Sequence, residues 1–344
     1  MCEIKKIPVI LDGDPGHDDA IAWVLAAATP EFDIKAITTV AGNQTLAKVT
    51  YNALRICSLV GLNVPVSRGR NVPIMSDLVV APNFHGESGL DGPKLPEPSF
   101  EECELSSVEL MAKVLRESEE PVTIIATGPQ TNVAALLLAH PELKEKIGQI
   151  SIMGGGFRNG NWTAAAEFNI IEDPEAAAIE FKSGIPLTVC GLDVTEKAIV
   201  TPTDREKVRA VGNQVSRVVS DWLDFFFKHH KELGWEGSPL HDPCAVLVLT
   251  HPEIFEIKEI YAEVETRGRY CRGETVGDFT NLTGKKPNVR AVVGVDRDKF
   301  VEAIVEACRK YDGWEVHIDE WEENSIMDWY RYRCGWCRNV NVCY

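Results

Sequence analysis

Four aspartates lie within eight residues near the start of the chain, namely Asp12, Asp14, Asp18 and Asp19. The apolar segment 7–11 before them predicts a buried strand, and the apolar run 21–28 after them predicts a helix. The carboxylates then lie at the carboxyl end of a strand, where ligands bind in open α/β sheets. Because clustered carboxylates repel one another, we expect a cation to neutralise them. An all-oxygen set suits Ca²⁺ first and Mg²⁺ second.

Two other interpretations of this run stay open at this point. The first is an ordinary solvated turn at the end of a strand. The second is a phosphoryl-transfer site with Asp12 as the nucleophile, since Asp12 and Asp14 after a strand also suit that chemistry. That site would need a Lys and a Ser or Thr to hold phosphate. Pro15-Gly16 stands where a cap loop usually begins in such proteins, which argues against this interpretation.

Polar groups also follow the other predicted strands. Asn43 follows the strand 32–40, and the glycine-rich loop 82–93 carries His85. The segment 159–169 gathers Asn161, Glu167 and Asn169 around Phe168, a set able to bind the hydroxyls of a sugar. His241 and Asp242 open a late helix, where a second carboxylate could reach the first cluster. The ordinary alternatives are a surface loop, an Asn-rich turn and a helix cap.

The elements that must position these groups alternate between strand and helix patterns. Strands are predicted at 7–11, 32–40, 64–66, 122–126, 149–153, 186–190, 257–266 and 289–295, and helices at 46–60, 107–118, 133–139, 214–233, 244–249 and 298–311. The sequence therefore predicts an α/β fold with an open, mostly parallel, Rossmann-like sheet flanked by helices. We expect one catalytic domain over residues 1–311 and an atypical Trp- and Cys-rich tail over 312–344.

Composition narrows the class of partner. The 344 residues carry a net charge of −17, so nucleic acid and anionic membranes are poor partners. No apolar run is long enough to cross a bilayer, and residues 1–6 lead straight into a strand, which favours the cytoplasm. The ten cysteines are expected to be reduced. Only Cys334 and Cys337 have metal-binding spacing, and a single pair is a weak zinc signal.

The first run resembles the signature Asp-x-Asp-Pro-Gly-x-Asp-Asp-Ala of the nucleoside hydrolases. Five further segments match that family's motifs in the same order, namely 41–44, 85–92, 127–129, 161–169 and 240–242. The span from Ile7 to about Tyr311 therefore resembles an inosine/uridine-type nucleoside hydrolase. Its overall sequence pattern is most similar to the members that prefer pyrimidine ribonucleosides.

This resemblance implies hydrolysis of the N-glycosidic bond of ribonucleosides to free base and ribose. It implies a Ca²⁺ ion held by Asp14, Asp19, the carbonyl of Thr127 and Asp242. Asp14 would take a proton from a calcium-bound water, and His241 would protonate the departing base. The implied ribose ligands are Asp18, Asn43, Asn161, Glu167 and Asn169. His85 would line the base pocket, and the subunits would form a homodimer or homotetramer.

The helix before His241 departs from the pyrimidine-preferring pattern. Counting back from His241 gives Phe225, His229 and Leu233, where those relatives carry hydroxyl and amide groups. We therefore expect a looser base preference, with uridine and cytidine favoured and inosine next, and with His229 or His241 donating to the leaving base. The rival functions are a catalytically silent nucleoside- or ribose-binding protein and an aspartate-dependent phosphohydrolase.

Overall fold

A computed structural model describes residues 6–232 and 234–318. Its strands are β1 (Ile7–Gly13), β2 (Phe32–Thr39), β3 (Val66–Arg68), β4 (Val122–Ala126), β5 (Ile147–Met153), β6 (Leu187–Cys190), β7 (Ile199–Val200), β8 (Ser238–Pro239), β9 (Phe255–Val264), β10 (Thr275–Asp278) and β11 (Val289–Val295). Its α-helices are α1 (His17–Ala28), α2 (Leu46–Val60), α3 (Pro82–His85), α4 (Ser107–Glu117), α5 (Thr131–Ala139), α6 (Phe168–Glu172), α7 (Pro174–Phe181), α8 (Leu192–Thr195), α9 (Pro202–Val211), α10 (Gln214–Glu232), α11 (Pro243–Thr250) and α12 (Arg297–Arg309).

The central sheet has the strand order β10-β9-β11-β6-β5-β4-β1-β2-β3. From β11 to β3 every neighbouring pair is parallel, whereas β9 and β10 are antiparallel additions at one edge. The predicted open and mostly parallel α/β sheet is therefore confirmed. The chain builds β2 and β3 on one side of β1 and β4 onward on the other. This reversal opens a crevice at the carboxyl ends of β1 and β4.

Helices cover both faces of the sheet because alternate residues of its strands point to opposite sides. Val9 and Leu11 pack with Trp23, Trp222 and Phe300 in one core. Their neighbour Ile10 belongs to a second core, built with helices α4, α5 and α7. The buried layers fix β1 from both faces, so the loop that follows it is held by a rigid frame.

The structure adds short elements that the sequence patterns did not predict. The loop 82–93 begins with α3, and β7 pairs with β8 in a separate antiparallel ribbon. Strand β10 and helices α8 and α9 were also not predicted. Apart from the ten-residue α9, these elements have two to four residues and leave too little periodicity to detect.

The described start of the predicted tail packs against the domain. Trp314 Nε1 donates to the carbonyl of Leu59 at 2.8 Å, and Val316 exchanges two hydrogen bonds with Gln214. The rest of the tail, with Cys334 and Cys337, lies outside the described residues. Within residues 6–232 and 234–318, no helix has both the length and the apolar character needed to cross a bilayer.

Candidate active site and metal centre

Three buried carboxylates meet in the crevice between β1 and β4. Asp18, Asp19 and Asp242 each place a carboxylate oxygen within 4.8 Å of the others. Asp18 and Asp19 lie in the first turn of α1, where the helix dipole favours negative charge, and Asp19 accepts a 3.1 Å hydrogen bond from the backbone of Gly16. Asp242 immediately precedes α11. The starts of α1 and α11 thus bring together acidic groups that are more than two hundred residues apart in the sequence.

Asp14 lies beside this cluster, between two glycines. Its Oδ2 accepts a 2.6 Å hydrogen bond from the backbone of Asn43, whereas its buried Oδ1 has no hydrogen-bond partner among the described residues. A Cβ atom at Gly42 would lie 2.2 Å from Oδ2, and one at Gly128 would lie 2.5 Å from Oδ1. Only glycine at these positions leaves the carboxylate its space.

Burial of the four acids strongly affects their charge. Desolvation, followed by the charge of Asp19, raises the pKa of Asp18 to about 8 and the pKa of Asp14 well above its usual range. Burial also raises the pKa of Asp19 and of Asp242, and the charges of Asp18 and Asp19 raise the pKa of Asp242 further. No Lys or Arg of the described chain forms an ion pair with the four. The cluster therefore lacks the positive charge that full ionisation requires.

The donor set fits a hard divalent cation. Asp14 Oδ1 is an orphaned buried oxygen, and the charges of Asp19 and Asp18 act on its carboxyl group. A residue bonded to Asp19 adds a backbone carbonyl, and carboxylates and carbonyls are the ligands that such cations prefer. That carbonyl belongs to Thr127, at the end of β4. It accepts 2.8 Å from Asn169 Nδ2, and the Thr127 hydroxyl donates to Asp19 Oδ1 at 2.6 Å. A carbonyl has two lone pairs, so one stays available for an ion.

The other sugar-binding candidates lie in the cavity above the carboxylates. Glu167 caps α6 and accepts hydrogen bonds from the backbone of Gly155, Asn169 and Ile170, while burial raises its pKa to about 7. Asn161 Oδ1 accepts from the backbone of Phe168 at 2.9 Å. Ten predicted residues line this cavity, namely Asp18, Asn43, His85, Thr127, Asn161, Glu167, Phe168, Asn169, His241 and Asp242.

His241 also lines this cavity, and its Nδ1 lies 2.8 Å from the hydroxyl of Thr195. Burial, and secondarily His230, lowers the pKa of His241 to about 3. The ring is therefore neutral at ordinary pH. With Nδ1 facing Thr195, the ring nitrogen that remains for a ligand is Nε2.

His85 is held by a second histidine that the sequence patterns did not single out. The backbone N–H of His17 donates to His85 Nδ1 at 3.3 Å, and the His17 ring stacks on Phe225 at 4.7 Å between ring centres. His17 Nε2 lies 2.7 Å from the carbonyl of Asp91. Burial lowers the pKa of His17 to about 4, so it acts as a neutral spacer. The sequence signal that could have identified His17 is its position between Asp14 and Asp18.

The prediction that His229 faces the ligand is not matched by its position. Phe226 and His230 line the cavity, whereas His229 packs its ring against Phe84 at 4.1 Å. Residues 226 and 230 share one face of α10, and the face inferred by counting back from His241 is displaced by one residue. The loop between α10 and His241 sets the rotation of the helix. This rotation cannot be inferred from the number of residues in the loop.

Asp12 does not join the site. It bonds to Thr38 and Asn132, and it is absent from the cavity lining. Asp14 and Asp19 are likewise absent from that lining, so the observation that argues against a nucleophilic Asp12 is that its Oδ1 accepts hydrogen bonds from both Thr38 and Asn132. Sequence reasoning also missed Trp162, Trp235 and Glu196, which complete the cavity wall.

Comparisons of the sequence with known proteins and of the fold with solved structures all find nucleoside hydrolases. Residues 9–302 match the family described as inosine-uridine preferring nucleoside hydrolase. The chain is 56% identical over 308 residues to the pyrimidine-specific ribonucleoside hydrolase RihA of Citrobacter koseri, covering 89% of this chain and 99% of that protein. The same protein of Escherichia coli O7:K1 gives the same identity and coverage. The purine-preferring ribonucleoside hydrolase from Gardnerella vaginalis has a TM-score of 0.82 at 32% identity, covering 88% of this chain and 98% of that structure.

Proposed function

The chain belongs to the inosine-uridine preferring nucleoside hydrolase family, and from this membership we propose that it hydrolyses pyrimidine ribonucleosides to free base and ribose. Uridine and cytidine are the proposed substrates, with inosine a poorer one. One observation carries the proposal: side chains from segments more than two hundred residues apart line one cavity, whose floor is a cluster of buried carboxylates.

We propose Ca²⁺ as the bound cation, held by Asp14, Asp19, Asp242 and the Thr127 carbonyl. The orphaned Asp14 oxygen and the uncompensated charge of the cluster support this assignment. When bound, such a cation supplies positive charge that acidifies water and orients ribose hydroxyls.

Asp14 is the proposed general base. Asn43 donates to Oδ2, so Oδ1 is the carboxylate oxygen that faces both the proposed cation and the attacking water. Asn43 thereby fixes the carboxylate while leaving one oxygen for chemistry. Removing a positioned base costs roughly a hundredfold to ten-thousandfold in rate.

Ribose is bound by groups whose remaining hydrogen-bonding capacity points to hydroxyls. Asn169 uses its Nδ2 on the carbonyls of Thr127 and Met153, so its Oδ1 accepts from the sugar. Asn161 uses its Oδ1 on the backbone of Phe168, so its Nδ2 donates. Asp18, Asn43 and Glu167 complete the set. Fixing the sugar places the anomeric carbon against the water.

His241 is the proposed acid toward the leaving base. If the Thr195 hydroxyl donates to Nδ1, the neutral ring carries its proton on Nε2 and presents it to the base. The base itself lies against the aromatic wall, where Phe168 and Trp162 meet edge to face at 5.1 Å. His229 is retained only as a support for Phe84.

The test is turnover of uridine, cytidine and inosine in the presence of CaCl₂, measured as released ribose and free base. Asp14→Asn should reduce turnover by at least about a hundredfold. Asp298→Asn, which removes an exposed carboxylate, should leave it unchanged. Nucleoside binding without ribose release would instead identify a binding protein. Phosphate release from a generic ester would favour the phosphohydrolase.

We also propose a cellular location and an oligomeric state for this protein. Cys57, Cys190, Cys244 and Cys308 are buried free thiols, which supports a reducing compartment such as the cytoplasm. A homodimer or homotetramer is proposed from the family resemblance, and light scattering of the purified chain tests it.

A further inference from the structure

We propose that Glu196 reads the base, and that it favours cytidine over uridine by accepting a hydrogen bond from the 4-amino group of cytosine. This inference rests on the proposed function, because it assigns specificity within the same cavity. Its basis is a half-buried carboxylate in the cavity wall that neither the cation cluster nor the ribose set uses.

Glu196 lines the same cavity as His241, the proposed acid toward the leaving base. It directly follows Thr195, whose hydroxyl holds the ring of His241. Two residues further on, the carbonyl of Ala198 accepts from the backbone of Leu240 at 3.0 Å, and β7 then pairs with β8. The strand pairing and the contact of Thr195 with His241 therefore hold the segments that carry Glu196 and His241 next to each other.

The surroundings of Glu196 make it an acceptor. Asn159 Nδ2 donates to both of its oxygens, at 3.1 and 3.3 Å. Among the residues the structure describes, no cation pairs with Glu196, since Lys197 turns away to the carbonyl of Val293 and Arg158 lies near Asp193. A carboxylate has about four lone-pair sites, and the Asn159 amide occupies only part of them. The remaining lone pairs accept a donor from a ligand.

Cytosine and uracil differ at the position such an acceptor would read. Cytosine carries an amino donor at C4, whereas uracil carries a carbonyl acceptor there and protonated N3. A carboxylate binds the amino group and repels the carbonyl oxygen. A hydrogen bond to a charged partner separates two such ligands by roughly tenfold to hundredfold.

The decisive variant is Glu196→Gln. The glutamine carbonyl still accepts from Asn159, so the loop that carries Asn161 stays anchored, but the new amide donates toward the base. Glu206→Gln, an exposed carboxylate on α9 with 63% of its side chain accessible, is the matched control. Each protein is assayed for kcat/KM with cytidine, uridine and a riboside of the pyrimidinone that lacks the 4-substituent.

We expect the wild type to favour cytidine over uridine by about tenfold or more, with the unsubstituted riboside between them. Glu196→Gln should lower this ratio by about tenfold, mainly through cytidine, and Glu206→Gln should leave it unchanged. A wild-type ratio near one, or an equal ratio in wild type and Glu196→Gln, overturns the inference.

Calorimetric binding of cytidine and uridine separates the two proposals. If no nucleoside is hydrolysed, the proposed function fails, and the ratio of dissociation constants in wild type and Glu196→Gln still decides the role of Glu196. If hydrolysis proceeds with a ratio that ignores Glu196, the proposed function stands and this inference falls.

Discussion

Asp242→Asn tests whether the carboxylate cluster is built for a cation. Asp242 lies within 4.8 Å of both Asp18 and Asp19, and all three are buried. At that distance two ionised carboxylates repel by roughly 3.5 kcal/mol at an effective dielectric constant of about 20. Full ionisation of Asp242 against both neighbours thus costs roughly 7 kcal/mol when no cation is bound.

The sign of the pH effect follows from the raised pKa values. In the cation-free protein the pKa of Asp18 is raised from 3.8 to about 8, so the folded state retains protons that the unfolded chain releases. The free energy of unfolding therefore falls as the pH rises from about 4 to about 8. Asp242→Asn removes two of the repulsive pairs and should flatten this fall.

The assay is thermal unfolding at pH 5 and pH 8, with a chelator or with excess CaCl₂. At pH 8, chelation should destabilise the wild type by roughly 3 kcal/mol, a fall in Tm of about 5 °C or more. Asp242→Asn should lose little on chelation and gain little from calcium, and Asp298→Asn should behave as wild type. Equal calcium shifts in wild type and Asp242→Asn would refute the reasoning.

Three further predictions address other contacts. Gly42→Ala places a Cβ atom 2.2 Å from Asp14 Oδ2, so we expect turnover to fall by about a hundredfold with an unchanged circular dichroism spectrum; retained turnover would contradict the role of Asp14. Thr195→Val removes the hydroxyl 2.8 Å from His241 Nδ1 and should lower kcat by about tenfold with little change in KM, whereas a change confined to KM would argue against it. Glu180 is a buried carboxyl whose pKa is raised well above 4.5 by desolvation, so it stabilises the fold below pH 4.5 and less as the pH rises; the stability of the wild type relative to Glu180→Gln should therefore decline on titration to alkaline pH, and a constant difference in urea unfolding would disprove it.

The sequence determined the parts of this protein that depend on local chain geometry. A buried strand, a glycine-containing turn and a helix start within residues 7–28 bring Asp14, Asp18 and Asp19 to one end of a strand, and contacts from Asn43 and Thr127 then hold the carboxylates of Asp14 and Asp19. The predicted α/β class is confirmed, and so is the family inferred from six ordered motifs. Long strands and helices were predictable because each repeats its periodicity over enough residues.

Only the tertiary structure decided which side chains meet across the cavity. The position of Thr195 against His241, and of Glu196 beside them, follows from the pairing of two short strands that leave no pattern in the sequence. The choice of His230 over His229 depends on the rotation of α10. Periodicity fixes which residues of a helix share a face, but packing against the rest of the fold fixes where that face points.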